Sequence, residues 1–538
     1  MQKEGTKKQK KTGRLYRSFI ELVAVGCITG IFSGIIVTAF TILAHEGEEI
    51  SRGVYAYVRE NPLFIPVLFL ALFAGAFLIG VIVQMSAVSR GCGIPQAEGG
   101  IRGIIQFHWF RDMTAMFAAS ILSIFMGLSI GAEGPSVLLG SCTGDGVSSA
   151  LRRDNMIRKY QITGGACAGL AVASNAPLTG MVFAFEEAHK RFTPEVFICA
   201  FTSVIFGMLT KSLVYQILGM QIENAFHSYV FYELPIRYYG YVILAGLVCG
   251  LLGVLFYKLC FLMGKLFGKI KVKNPRFTIA IRIMIAVAIG GVASFLAVGA
   301  MGGGHELIQS LGTYGGTAEP HTERFFVLPL VWALITALVL KFAITSVNVG
   351  SGLPCGIFIP IIAIGACIGG VLNQLWLKLG MGAAYCDIMV MICMAAFFTT
   401  IVKAPITAII MICEFTGSFA PLLPVIIAVF CGYIIGELSG TDGIYDELLE
   451  LYEHENGIHK NAVLQVYIIR LESHSIAENR EVRNVLWPAG VRVKEVMRGE
   501  EKILPDGDTI LHGGDVLTIV CKTNEPQKLK EELEHILG

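Results

Sequence analysis

Long apolar runs closed by short polar or Gly/Pro-rich breaks set the texture of most of the chain. Phe19 to Leu43, Leu63 to Met85, Tyr238 to Leu262, Phe325 to Leu340 and Met389 to Ile412 are stretches of the length that crosses a bilayer. The pattern predicts a polytopic, all-α membrane domain. After Leu438 the texture changes. "TDGIYDELLELYEHENGIHK" is charged and helical at its start. From Asn461, short alternating segments follow ("VLQVYIIRL", "VRVKEVMR", "EKILP", "TILHGGDVLTIVCK"), then a helical "EPQKLKEELEHIL". The chain therefore divides into a basic tail over 1–17, a membrane domain over 18–438, a linker over 439–460 and a small α+β domain over 461–538.

Composition agrees. Hydrophobic residues make up 54% of the 538 positions and charged ones 15%, with a mean hydropathy of +0.65. The net charge of +1 says little, because 30 of the charged residues lie between Thr441 and Gly538. Seven Lys and Arg residues precede the first span, whose apolar run is too long for a signal peptide and has no small-residue cleavage site. The positive-inside rule puts this tail in the cytoplasm. The 14 cysteines sit mostly singly in apolar stretches with no CxxC pair, so neither a disulfide framework nor a metal site is expected. HExxH, P-loop and GxSxG motifs are absent, so no enzyme, cofactor or nucleic-acid partner is indicated; a TVGYG-like potassium filter is also missing.

The membrane part repeats itself. "GAEGPSVLLG" (131–140) and "GIFIPIIAIG" (356–365) share Gly, then Pro four later, then Gly five beyond, at an offset of 225. "NAPLTGMVFAFE" (175–186) and "KAPITAIIMICE" (403–414) share Ala-Pro, a Thr and a Glu at an offset of 228. Two matches at nearly one offset predict two related halves, and Gly/Pro-broken helices in corresponding places point to a binding site near the midplane.

A helix that begins inside the membrane leaves its first N–H groups unpaired, and hydrocarbon offers no water to satisfy them. Proline has no N–H to lose there, glycine lets a ligand approach, and the dipole favours an anion. Three such starts occur: "GCGIP" (91–95), "GAEGP" (131–135) and "GIFIP" (356–360). Converged, they form an anion site built largely of backbone. Glu133 then sits where the anion would. Ionised, its carboxylate is a tethered competitor; protonated, it is free to swing aside, so one group links proton uptake to anion access.

"GCGIPQ", "GAEGPSV" and "GSGLPCGIFIP", in this order, resemble the signature stretches of the CLC family of chloride channels and proton-coupled chloride transporters, over roughly Phe19 to Tyr445. The resemblance implies two inverted repeats and a homodimer with an anion pathway in each subunit. It implies Glu133 as gating glutamate and proton acceptor. Cys92, Gly93, the N–H groups of Ile357 and Phe358, and the Tyr445 hydroxyl would line the anion site, and Glu187 of "FAFEEAHKRF" would be the inner proton glutamate. The expected function is therefore a secondary-active exchanger of chloride, or a similar small anion, for protons. A passive voltage- or ligand-gated channel of the same fold is the alternative, in which Glu187 is merely a loop acid.

Two places depart from the family pattern. Cys92 stands where the first motif generally has Ser, and Ala132 where the second usually has Lys or Arg. A thiol is a weaker donor, which leaves the physiological anion open, and losing the cation alters the proton affinity of Glu133. "LPDGDTILHGGDVLTIVCK" makes the C-terminal domain similar to the TrkA-C (RCK) modules of prokaryotic ion transport proteins. That likeness implies pairing, a possible small-molecule ligand and a bacterial inner (plasma) membrane, with both termini cytoplasmic.

Overall fold

The computed structural model describes residues 2–538 except 154, 223–225, 227, 274, 298–300, 313–329, 457–462, 474, 486, 489 and 524–525, and of these the side chains from 19 onward except 155–156, 275–276, 330, 463, 522 and 528. Among the described residues, eight helices are long and apolar enough to cross a membrane.

Among the described residues of the membrane part, sixteen α-helices form two series with the same order of long and short members. The first comprises α1 (Gln2–Glu60), α2 (Ile65–Met85), the short α3 (Ile94–Arg102), α4 (Trp109–Phe125), α5 (Glu133–Ala150), α6 (Asn155–Ser174), the short α7 (Pro177–Phe183) and α8 (Pro194–Leu218). The second runs α9 (Tyr239–Lys269), α10 (Pro275–Leu296), the short α11 (His305–Leu311), α12 (Leu330–Ser351), α13 (Phe358–Lys378), α14 (Cys386–Val402), α15 (Pro405–Thr416) and α16 (Leu422–Leu438). Pro at the first or second position opens α3, α7, α8 and α15, where its missing N–H costs nothing.

The halves are inverted. Glu186, just beyond the end of α7, accepts from Ile406 N (2.8 Å) and Thr407 N (2.5 Å) at the start of α15. Glu414, near the end of α15, accepts from Leu178 N (2.8 Å) and Thr179 N (2.7 Å) at the start of α7. Each helix begins where the other ends, so the two equivalent segments lie antiparallel. This accounts for the Glu shared by the second repeat match.

Every residue of α14 is buried, and α5 and α13 nearly so. By contrast α2, α8 and α9 present large apolar side chains outward, among them Leu70, Leu209 and Leu251, as lipid-facing helices do. The all-α polytopic membrane domain of inverted repeats with broken helices is thus as expected, with local corrections. Met389 to Ile412 is not one span. Lys403 takes a left-handed φ of 70° and Pro405 starts a new helix, which separates α14 from α15. The first helix runs on to Glu60, well past Leu43, and the basic tail is continuous with it. Of the expected span from Phe325, residues 325–329 lie outside the described residues, as does the junction at 460/461.

Beyond the membrane domain, α17 (Ile444–Asn456) leads to β1 (Val463–Arg470), β2 (Arg492–Arg498), β3 (Glu501–Ile503), β4 (Val516–Thr523) and α18 (Pro526–Leu537). The strands form one antiparallel sheet in the order β1-β4-β2-β3, the α+β domain that the alternation predicts. Arg480 pairs with Glu195 (2.6 Å) at the start of α8, tying this domain to the membrane part.

Candidate functional site

Three glycine-rich loops meet at the broken helix starts. Gly131 N donates to Gly356 O at 2.7 Å and Cys355 N to Gly91 O at 3.2 Å, so the third loop is bonded to the other two. A Cβ on Gly134 would stand 2.2 Å from Cys92 O, and one on Gly93, whose φ is +90°, 2.4 Å from Gly134 O. Only glycines allow backbones this close. The starts of α3, α5 and α13 therefore converge, as the sequence predicts.

Among the described residues, the N–H groups of Ile357 and Phe358 donate to no carbonyl or side chain. Both residues are almost wholly buried, at 1% and 2% exposure. Such orphan donors at a buried helix start are a ready anion site. The Gly93 N–H donates to Gln96 Oε1 at 3.0 Å, while Gln96 Nε2 donates to Arg90 O at 2.6 Å. That amide is spent on capping α3, and what Gly93 supplies is close approach. Cys92 is buried and lines a cavity of about 360 Å3 on the tail side, together with Arg90, Lys265 and Arg282.

Two polar atoms flank this backbone site without partners. Glu133, at the first position of α5, is 1% exposed and its Oε2 has no hydrogen bond. A Cβ on Gly131 would lie 2.7 Å from that oxygen, so the carboxylate lies over the loop joined to Gly356. Tyr445, at the start of α17, is buried, and its hydroxyl is equally unpartnered. Its electrostatic neighbours are Cys92, Glu187, Glu98 and Glu133. A lone buried hydroxyl and a lone buried carboxylate oxygen thus lie within electrostatic range of each other beside the joined loops. Unsatisfied groups of this kind are costly and mark a place built for something else.

Glu187 is not a solvated loop acid. It sits in a π-helical turn (Ala184–Ala188) that prolongs α7, and is buried beside Glu98, Glu186, Lys190 and Asp446. Asp446, next to Tyr445, accepts from Lys190 Nζ (2.5 Å) and Arg102 (3.0 Å), and Arg102 also pairs with Glu98 (2.9 Å).

On the opposite side, Glu133 opens into a mouth of about 370 Å3 lined by α1, α8 and α11. Helix α8 starts beside the tail at Glu195 and ends in this mouth at Lys211 and Tyr215, so the two cavities open on opposite faces.

Sequence reasoning missed three residues here. His305 Nε2 lies 3.5 Å from Glu133 Oε1; the run of glycines before it, in the place corresponding to the start of α3, was the available signal. Glu98, 1% exposed, lies only five residues past Gly93 and was as visible as Glu133. Lys341 is fully buried, donating to Gly302 O (3.1 Å) and Gly303 O (3.3 Å) and so holding the His305 loop; nothing in "LVLKFAI" sets it apart.

Orphan amides at the junction of inverted repeats, with an unpartnered buried carboxylate oxygen and an unpartnered buried hydroxyl nearby, sit within a helical membrane domain. The chain belongs to the voltage gated chloride channel family, which matches residues 74–437, and a TrkA-C domain matches residues 466–534. It is 29% identical over 436 residues to an H(+)/Cl(-) exchange transporter ClcA of Vibrio cholerae, covering 78% of this chain and 87% of the relative. A second such transporter, from Vibrio parahaemolyticus, is 28% identical over 446 residues, covering 80% and 89%. The fold matches the crystal structure of a slow cyanobacterial Cl-/H+ antiporter with a TM-score of 0.71 at 22% identity, over 81% of this chain and 99% of that one.

Proposed function

We propose that the protein is a secondary-active antiporter exchanging chloride, or a similar small anion, for protons. The observation that carries this reading is the burial of Glu187 beside Glu98, on the opposite side of the anion loops from the gating position of Glu133. A passive pore needs one movable acid; a proton path needs a station at each end. In this reading the anion rests on Ile357 and Phe358 N–H with Cys92 and the Tyr445 hydroxyl on the tail side. Glu133 in its ionised form occupies the neighbouring position. Protonated from the far side it yields to the anion, and it passes its proton inward toward Glu187, whose position beside Asp446 and Lys190 leads to the tail-side surface. The protein works as a homodimer in a bacterial inner membrane, each subunit with its own pathway amid lipid. Both termini are cytoplasmic, and the TrkA-C domain binds a small ligand that sets the rate.

The test is proton flux into liposomes holding the purified protein, driven only by a chloride gradient. Uphill proton movement is expected in the parent and is lost in Glu133→Gln and Glu187→Gln while chloride flux persists in part. Chloride flux with no proton movement in the parent overturns the exchanger and leaves a channel.

A further inference from the structure

Where the membrane domain meets the TrkA-C domain lies a cavity of about 470 Å3 that the transport cycle does not use. Among the described residues its wall carries six basic residues, Arg102, Lys159, His189, Lys190, Arg191 and Arg483, and no acid. Several of these cations have counter-charges behind the wall: Arg102 and Lys190 share Asp446, and Arg483 pairs with Glu481 and Asp508. Two do not. Arg191 donates to the backbone carbonyl of Arg483 (2.8 Å) and, among the described residues, to no carboxylate. The Lys159 ammonium makes no hydrogen bond or ion pair among the described residues; Glu532 of α18 is only within electrostatic range. Gly103, at the end of α3 with φ +78°, leaves room for it, since a Cβ there would lie 3.2 Å from Lys159 Cε.

The sum is a positive pocket. His189 registers it: burial and the charges of Arg102, Lys159 and Arg191 push its imidazole down to about 4, so it stays neutral. Apart from Thr193 and Asn484, the remaining described wall is apolar and aromatic. Trp487 is fixed by donation from Nε1 to Val482 O at 2.8 Å, and Val485 and Pro488 flank it. A cavity of a few hundred Å3 with convergent cations and one aromatic wall has the size and chemistry of a small-ligand site, and Arg and Lys in this arrangement are the phosphate binders.

We infer that this inter-domain cavity binds a small phosphate-bearing anion on Lys159 and Arg191, with Trp487 as the wall for whatever the phosphate carries. The inference locates the ligand suggested above for the TrkA-C domain and rests on that reading only for its effect on transport. Occupancy would draw Lys190 and Arg102 toward the phosphate and away from Asp446. Asp446 adjoins Tyr445, and Arg102 also holds Glu98. The inner end of the anion site and the acid beside Glu187 are therefore reached through one shared set of ion pairs.

The experiment uses the full-length protein and three probes: ATP, inorganic phosphate, and vesicles of phosphatidylglycerol against phosphatidylcholine. Binding is measured directly by calorimetry or flotation, so that it is read whether or not the protein exchanges protons. Saturable binding of at least one probe is expected, weakened about tenfold or more by Arg191→Ala and restored by Arg191→Lys. ATP alone identifies a nucleotide, inorganic phosphate a free anion, and phosphatidylglycerol a lipid headgroup. Because Arg191 belongs to the membrane domain, its effect separates this cavity from any site within the tail alone. Lys159→Gln serves as the second variant if Arg191→Ala elutes as an aggregate. Binding of no probe, or equal affinity in parent and variants, overturns the inference. A bound probe that leaves chloride-driven proton flux unchanged keeps the site and overturns its regulatory role.

Discussion

His305 Nε2 stands 3.5 Å from Glu133 Oε1 in the far-side mouth, the only charged or titratable partner within ion-pair distance of that carboxylate among the described residues. The family's second motif usually carries a cation just before its glutamate, and here that place is Ala132. The fold supplies a titratable one from α11 instead. Glu48 and Arg52 of α1 face the same imidazole, and Glu48 also accepts from Gly303 N at 3.0 Å, fixing the loop that carries it.

A protonated His305 attracts the Glu133 carboxylate and holds it in the mouth. His305→Gln removes that charge and keeps a donor. With Glu133 as the proposed gate, a weaker hold should raise chloride flux measured from the far side at a fixed pH. Unchanged flux would mean that His305 only packs, as its contact with the Phe226 ring (5.9 Å) already allows.

The reciprocal caps yield a second prediction. Glu186 and Glu414 each satisfy two N–H groups that open the other half's helix, and Glu414 also accepts from Thr179 Oγ1 at 2.6 Å. Glu414→Ala and Glu186→Ala should each cost about 1–3 kcal/mol, read as a drop in thermal midpoint in detergent. The double change should fall further than either single one. A stability loss confined to one of the two would show that the pair is not equivalent.

These caps also show what a sequence pattern can and cannot carry. The offsets of 225 and 228 residues and the three Gly/Pro helix starts report local backbone requirements, and from them the halves, the broken helices and the place of Glu133 were legible, while Ile357 and Phe358 came from the family resemblance. Partners are not local. The shared Glu of the second match was visible as a repeat, but its acceptor role runs to residues 220 and 235 positions away. Lys341 looks like one charge in an apolar run until the carbonyls of Gly302 and Gly303 are brought to it. The break at Lys403 was hidden because hydropathy averages over it, although Ala404-Pro405 marks it. The partner of the Gly93 amide is hidden for a related reason: only the fold reveals that Gln96 uses it.

The contact between the first two loops predicts a sharp glycine requirement. A Cβ on Gly134 would stand 2.2 Å from Cys92 O and 3.1 Å from Gly356 Cα, both backbone. Gly134→Ala must push the loops apart where the helix starts meet. Chloride flux should fall at least about tenfold, as expected when binding groups shift by near 1 Å, even where the protein still purifies as a folded species. Gly240, in α9 with nothing within 4 Å of a built Cβ, is the control. Gly240→Ala should leave flux unchanged and add up to about 1 kcal/mol of stability. Equal tolerance at both positions would contradict the convergence of the helix starts.

In the TrkA-C domain the "HGGD" turn is anchored by one ion pair. Asp515, 2% exposed, accepts from Arg498 Nε (3.0 Å), Arg498 Nη2 (2.8 Å) and His512 N (2.9 Å), joining the start of β4 to the end of β2. Burial alone would raise the Asp515 carboxyl; the Arg498 and His512 donors outweigh it and hold the group below its ordinary value of 3.8. Because it is lower in the folded chain, its contribution is complete above about pH 4 and is lost as pH falls through the folded value. Arg498→Met removes the fork and leaves the carboxylate with a single amide donor. At neutral pH the local opening free energy of β4 should drop by about 1–3 kcal/mol. In hydrogen exchange of the full-length protein, β4 amides corrected for intrinsic rate should then exchange roughly tenfold or more faster. Acidification should close the gap between parent and variant, since protonated Asp515 no longer rewards the fork. A gap that stays constant down to the acid limit would assign the loss to packing of the Arg498 stem instead.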